Sequence, residues 1–123
     1  MRLNADSADY VECIYTGLGI LPPICQADFY VNKGTSQPGC KNFLGIDDVV
    51  CSHMRAVFLY AEAIENQEAF YGKSCSDVEE VYSGSCNNEP GEFLGHAINE
   101  EKKVKGIFAV TTNQKSPFGR GRD

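Results

Sequence analysis

Six cysteines in a chain of 123 residues restrict its possible folds more than any other feature. They stand at Cys13, Cys25, Cys40, Cys51, Cys75 and Cys86, and none forms a C-x-x-C pair. Zinc-site and thioredoxin-type readings therefore lack their usual spacing. Six cysteines allow 15 connectivities. Pairing each with its neighbour, 13 with 25, 40 with 51 and 75 with 86, is the simplest that yields three short loops. Each bridge would contribute roughly 3 kcal/mol by restricting the unfolded chain. Such a framework implies an oxidising, extracellular setting.

The length suits one domain over residues 1–123 with a core of its own. A net charge of -6 argues against nucleic acid as a partner, because phosphates need concentrated Lys and Arg. Lys102, Lys103 and Lys105 form a short basic run after Glu100 and Glu101, and read as a solvated turn. The first residues, Met1 to Asp6, lack the apolar core of a secretory leader. No apolar run approaches the ~18 residues of a membrane span. Cysteines without a leader lead to the expectation of a piece of a longer secreted protein.

Tyr10 to Thr16 is rich in β-branched and aromatic residues and reads as a strand. Its apolar residues do not alternate, which suits a strand of a parallel sheet buried on both faces. Gly17, Gly19, Pro22 and Pro23 end it, and Ala27 to Asn32 reads as a second strand closed by Lys33-Gly34. The stretch from Lys41 to Val50 holds Phe43, Leu44, Ile46, Val49 and Val50, which either pack down or offer an apolar surface. Ser52 is a suitable N-cap for a helix over 53–66. Met54, Val57, Phe58, Ala61 and Ile64 recur at helical spacing as its core stripe, with Glu62 and Glu65 facing solvent. Residues 67–95 read as irregular structure stapled by one disulfide, Ile107 to Asn113 as a strand, and Ser116 to Asp123 as a frayed tail.

His53, where the helical pattern begins, is the candidate for chemistry, since imidazole suits general acid–base work. The alternative is a histidine at a helix start that is satisfied by nearby backbone. A catalytic histidine needs a group to deprotonate and a group to orient it. No G-x-S-x-G is present; Gly34-Thr35-Ser36-Gln37-Pro38 and Gly72-Lys73-Ser74-Cys75-Ser76 both lack the final glycine. Nothing in the spacing of Asp28, Asp47 and Asp48 selects one as an orienter. No metal or cofactor site is expected.

The ordered set Ala8-Asp9-Tyr10-Val11-Glu12-Cys13-Ile14-Tyr15-Thr16, Ala27-Asp28-Phe29-Tyr30-Val31-Asn32-Lys33-Gly34, Gln37-Pro38-Gly39-Cys40 and Cys51-Ser52-His53-Met54-Arg55-Ala56 resembles the animal pancreatic-lipase family. It is most similar to the insect members: neutral lipases, phospholipase A1 enzymes and non-catalytic yolk proteins. Gly106 to Asn113 and Pro117-Phe118-Gly119 resemble the end of that family's catalytic domain, so the resemblance covers nearly the whole chain. It implies part of an α/β-hydrolase fold, the C-terminal portion of the sheet with the helix after the catalytic histidine. It also implies action on lipid carboxylic esters. By the same resemblance His53 is the histidine of a Ser-Asp-His triad, and Cys40 with Cys51 closes a short lid of the phospholipase A1 kind. A proline and a glycine of the family's D-F-Y-P-N-G-G loop are here Val31 and Lys33, which alters a turn that uses both.

Two functions follow as expectations. In one, the chain supplies His53 and the lid to a lipase whose serine and aspartate lie outside the matched segment, and is inactive alone. In the other it is a non-catalytic derivative that binds a lipid or a protein, or pairs with a second copy, through bare apolar surface.

Overall fold

A computed structural model describes residues 10–17, 22–41, 44 and 48–122, with backbone only at 88 and 89. Its centre is a mixed sheet of five strands in the order β1-β2-β5-β3-β4. β1 (Glu12–Tyr15), β2 (Ala27–Val31) and β5 (Gly106–Val110) run parallel. β3 (Tyr71–Cys75) lies antiparallel to β5, and β4 (Asn88–Phe93) antiparallel to β3. The expectation of burial on both faces fits β2, where all five residues are buried, rather than β1. β1 is shorter than Tyr10–Thr16 and forms an edge, with only Tyr15 of its four residues buried. Having a neighbour on each side is what separates the two strands.

The two faces of the sheet carry different aromatic stacks. Phe29 and Phe108 stack at 4.8 Å on the side of Leu59 and Ala63. Tyr15 and Tyr30 stack at 4.3 Å on the other side, with Val81 and the Cys75 and Cys86 sulfurs. All three neighbour-to-neighbour disulfides are present: Cys13–Cys25, Cys40–Cys51 and Cys75–Cys86.

The long helix α1 (Val49–Glu65) begins one turn earlier than residue 53. Asp48, not Ser52, is its N-cap, accepting a 3.0 Å bond from the Cys51 N–H. Ser52 is buried instead, and its Oγ accepts from the Gln37 N–H at 2.9 Å. The core stripe also differs from the expected one. Ser52, Arg55, Leu59 and Ala63 face the sheet, whereas Val50, Val57 and Ile64 are 71%, 59% and 61% exposed. Met54, Phe58 and Ala61 are exposed as well. Apolar residues populate both sides of this helix, so spacing alone defines a period and leaves the phase undetermined. The ring pair Phe29–Phe108 occupies the space beneath α1, and the residues facing it include Ser52 and Ala63.

Residues 67–95 are more regular than expected. Besides β3 and β4 they contain α2 (Val78–Ser83), capped by Asp77 accepting from the Glu80 N–H and closed by Gly84 at φ 75°. Cys75–Cys86 joins the end of β3 to the segment leaving α2, so the disulfide fixes a β-α-β unit rather than a loop. The basic run is not a bare turn: Lys102 ends α3 (Ile98–Lys102) and pairs with Glu92 at 3.2 Å, and Lys103 caps that helix.

The expected strand over 107–113 ends at Val110, and the tail after it is anchored rather than frayed. The Phe118 and Gly119 N–H groups each donate to the Glu62 carboxylate at 2.8 Å. Glu62 is accordingly half-buried and not a solvent-facing residue. Gly121 N–H donates to the Ala69 carbonyl at 2.9 Å. Of the apolar stretch Lys41 to Val50, residues 42–43 and 45–47 lie outside the described residues; Leu44, Val49 and Val50 are exposed, the last two within α1. No helix among the described residues is long and apolar enough to cross a membrane.

Candidate functional site

His53 is the fifth residue of α1, and its side chain is exposed. Its backbone is held tightly. The Thr16 hydroxyl donates to the His53 carbonyl at 3.2 Å, and a Cβ added at Gly17 would sit 3.3 Å from the His53 nitrogen. The start of α1 is thus pressed onto the residues that follow β1, at the carboxyl ends of the parallel strands. Gly17 permits that approach because it has no side chain.

Gln37 connects the pieces from below. Its Nε2 donates to the Thr16 and Val31 carbonyls, both at 2.9 Å, and its Oε1 accepts from Asn32 Nδ2 at 2.8 Å. Its own N–H reaches Ser52 Oγ. One buried amide therefore ties the ends of β1 and β2 to the first turn of α1. Arg55, also buried, lies one turn further along. Its Nη1 donates to the Pro38 carbonyl at 3.0 Å, its Nη2 lies 3.1 Å from Cys40 Sγ, and its guanidinium sits 4.4 Å from the Phe118 ring centroid. Burial draws this guanidinium below its ordinary pKa. Both ends of the Cys40–Cys51 loop are thereby fixed against the helix that carries His53.

Of the second serine string, Ser74 is paired in β3 opposite Phe108 and the Ser76 N–H donates to Glu80, while Ser36 of the first is half-buried beside Gln37. The three aspartates separate. Asp48 is the helix cap, and Asp47 lies outside the described residues. Asp28 is buried in β2, accepting from the Tyr15 hydroxyl at 2.7 Å and from the Ile24 and Cys25 N–H groups at 3.3 Å each. Burial raises its pKa against the opposing pull of these three donors. Burial and the nearby carboxylate push the stacked phenols up as well, Tyr30 to about 12. Asp28 is thus committed to Tyr15 and its own turn. Cys13, Cys25 and Asp28 place two sulfurs and a carboxylate together, but the sulfurs are bonded to each other and offer no thiolate to a metal.

The arrangement can hold an imidazole at a solvent-facing position with little backbone freedom. It can accept and return a proton there; among the described residues no nucleophile or orienting group is hydrogen-bonded to the imidazole. Thr16, Gly17, Gln37 and Arg55, which position this group, are missed by residue-type reasoning. Their only sequence signal is position: Thr16, Gln37 and Arg55 lie within the matched strings, and Gly17 directly follows one.

A family model described as Lipase matches residues 1–118. The chain is 40% identical over 98 residues to human phospholipase A1 member A, covering 76% of the chain and 22% of that protein. It is 31% identical over 144 residues to mouse hepatic triacylglycerol lipase, covering 95% of the chain and 28% of the relative. For bovine pancreatic lipase-related protein 2 the identity is 35% over 147 residues, with 96% and 31% covered. The chain thus spans about a fifth to a third of the length of these relatives.

Proposed function

The chain belongs to the lipase family, and from that premise we propose that residues 1–123 form the C-terminal portion of an α/β-hydrolase domain that cleaves carboxylic esters of lipids. His53 is its general base. In this reading His53 removes the proton from a serine hydroxyl as that oxygen attacks the ester carbonyl. It then returns the proton to the departing alcohol, leaving an acyl-serine that water hydrolyses by the same relay in reverse. The serine and aspartate come from outside residues 1–123. The Cys40–Cys51 bridge, which joins the helix carrying His53, closes a short lid in this reading. The observation that carries the reading is the clamped, outward-facing His53 at the carboxyl ends of parallel strands, where ligands meet open α/β sheets. The three disulfides support an extracellular setting. The names of the relatives point to phospholipids or triacylglycerols as substrates.

A chimera tests this directly. Residues 10–118 replace the matching segment of a phospholipase A1 relative, and fatty-acid release from phosphatidylcholine is measured. Activity is expected, with a fall of about 10³-fold or more on His53→Ala. The isolated chain should release nothing. An active chimera that keeps its rate without His53 would remove the assigned role.

One observation favours a second reading, a non-catalytic protein that binds lipid or protein. The outer face of α1 presents Val50, Val57, Phe58 and Ile64 to solvent. Flotation of the isolated chain with neutral vesicles, abolished by Phe58→Ser, would support it; a chain that stays with the aqueous fraction would exclude lipid as the ligand.

A further inference from the structure

On the sheet face opposite α1, a pocket of about 350 Å³ opens at the carboxyl ends of β2 and β5. Val81, Gly84 and Cys86 form one wall; Lys33 reaches it from the turn after β2 and Lys73 from β3. The lining contains no carboxylate, although the chain as a whole carries a net charge of -6. Among the described residues neither lysine has an ion-pair partner.

The register explains how the two cations share one pocket. Lys73 lies opposite Ala109, which lies opposite Tyr30 on its other side. Residues directly across a sheet project to the same face, so Lys73 stands on the Tyr30 side, two strand spacings or about 10 Å from β2. Lys33 follows Tyr30 by three residues, just beyond the end of β2. Both carry a flexible four-carbon stem with a compact charge at its tip, able to close on one ligand.

The backbone at Lys33 supplies a second, independent observation. Its φ is 69°, between Asn32 at 50° and Gly34 at 71°. A left-handed conformation is unfavourable for any residue with a Cβ, and glycine adopts it freely. The turn itself is held by Asn32, whose Nδ2 bonds Gln37 and Thr112 at 2.8 and 2.9 Å, so the fold has no need of a lysine there. A strained residue that the turn does not require points to work done by its side chain.

We propose that Lys33 and Lys73 form a binding site for a phosphate group, separate from His53 and independent of the hydrolase reading. Lysine binds phosphate as a point charge, and two lysines flanking a small pocket suit a monoester or diester. The phosphate could belong to a lipid headgroup or to a soluble ion, and the measurement separates these sources.

The whole chain is titrated with inorganic phosphate by NMR, and its cosedimentation is measured with phosphatidate-containing and with pure phosphatidylcholine vesicles. Lys33→Gly is expected to raise the melting temperature while weakening binding roughly tenfold or more. Lys73→Gln should weaken binding similarly without that gain, and Lys105→Gln should change neither. Lysine-dependent binding of inorganic phosphate identifies a soluble phosphate. Lysine-dependent binding of phosphatidate vesicles alone identifies a lipid headgroup. The proposal is overturned if neither probe binds, if Lys33→Gly and Lys73→Gln leave binding intact, or if Lys105→Gln weakens it equally.

Discussion

Glu62→Ala should detach the end of the chain while leaving the sheet folded. Both carboxylate oxygens of Glu62 are engaged, one by the Phe118 N–H and one by the Gly119 N–H, at 2.8 Å each. The same segment is held by Asn113 N–H donating to the Phe118 carbonyl at 2.8 Å and by the Arg55 guanidinium over the Phe118 ring. Hydrogen bonds to a charged acceptor contribute about 1.5–3 kcal/mol each, the lower end applying where water competes. Two of them at a half-buried carboxylate come to roughly 3 kcal/mol, reduced because the released N–H groups can then bond water. The free energy of local opening should fall by about 2 kcal/mol, which accelerates exchange by roughly 30-fold. The assay is native-state amide exchange at Phe118, Gly119 and Gly121, with tryptic cleavage after the exposed Lys115 as a second measure. Amides of β2 and β5 should keep their protection. Glu62→Gln, which keeps one carbonyl acceptor, should lie between the two. If exchange at Phe118 and Gly119 is unchanged, or rises equally in β2, the latch assigned to Glu62 does not exist.

The remaining predictions concern burial and charge. Because burial raises the Asp28 pKa, the folded state holds that proton more tightly than the unfolded chain. Its contribution is therefore full below the ordinary value of 3.8 and is lost as pH rises through the folded pKa. Urea denaturation from pH 3.5 to 6 should show the unmodified chain losing stability relative to Asp28→Asn; a gain over that window would reverse the argument. Leu59→Ala should cost about 2–5 kcal/mol by leaving a cavity beneath α1, whereas Val57→Ala on the outer face should stay within about 0.5 kcal/mol. Equal costs in chemical denaturation would mean that the sheet-facing side of α1 is misassigned.

What could be read from residue types follows a physical division. Covalent and backbone constraints act locally, so cysteine spacing anticipated the three bridges, and Gly and Pro marked the ends of β1 and β2. The phase of α1 is a tertiary property: Met54, Val57 and Ile64 are as apolar as Leu59, but the ring pair Phe29–Phe108 and the partners of Ser52 and Arg55 all lie on the other side. Residues 67–95 read as irregular because a five-residue strand and a six-residue helix are too short to show a period. The same division applies at the candidate site. His53 stood out through its chemistry and the string around it, while Gln37 and Arg55 did not, since each acts through partners far away in the chain. Gln37 reaches back 21 residues to Thr16, and Arg55 reaches back 17 to Pro38. Lys33 belongs to neither class. Its residue type is ordinary, and so is a turn at that point; only their combination, a lysine at positive φ beside a second lysine, directs attention to the pocket.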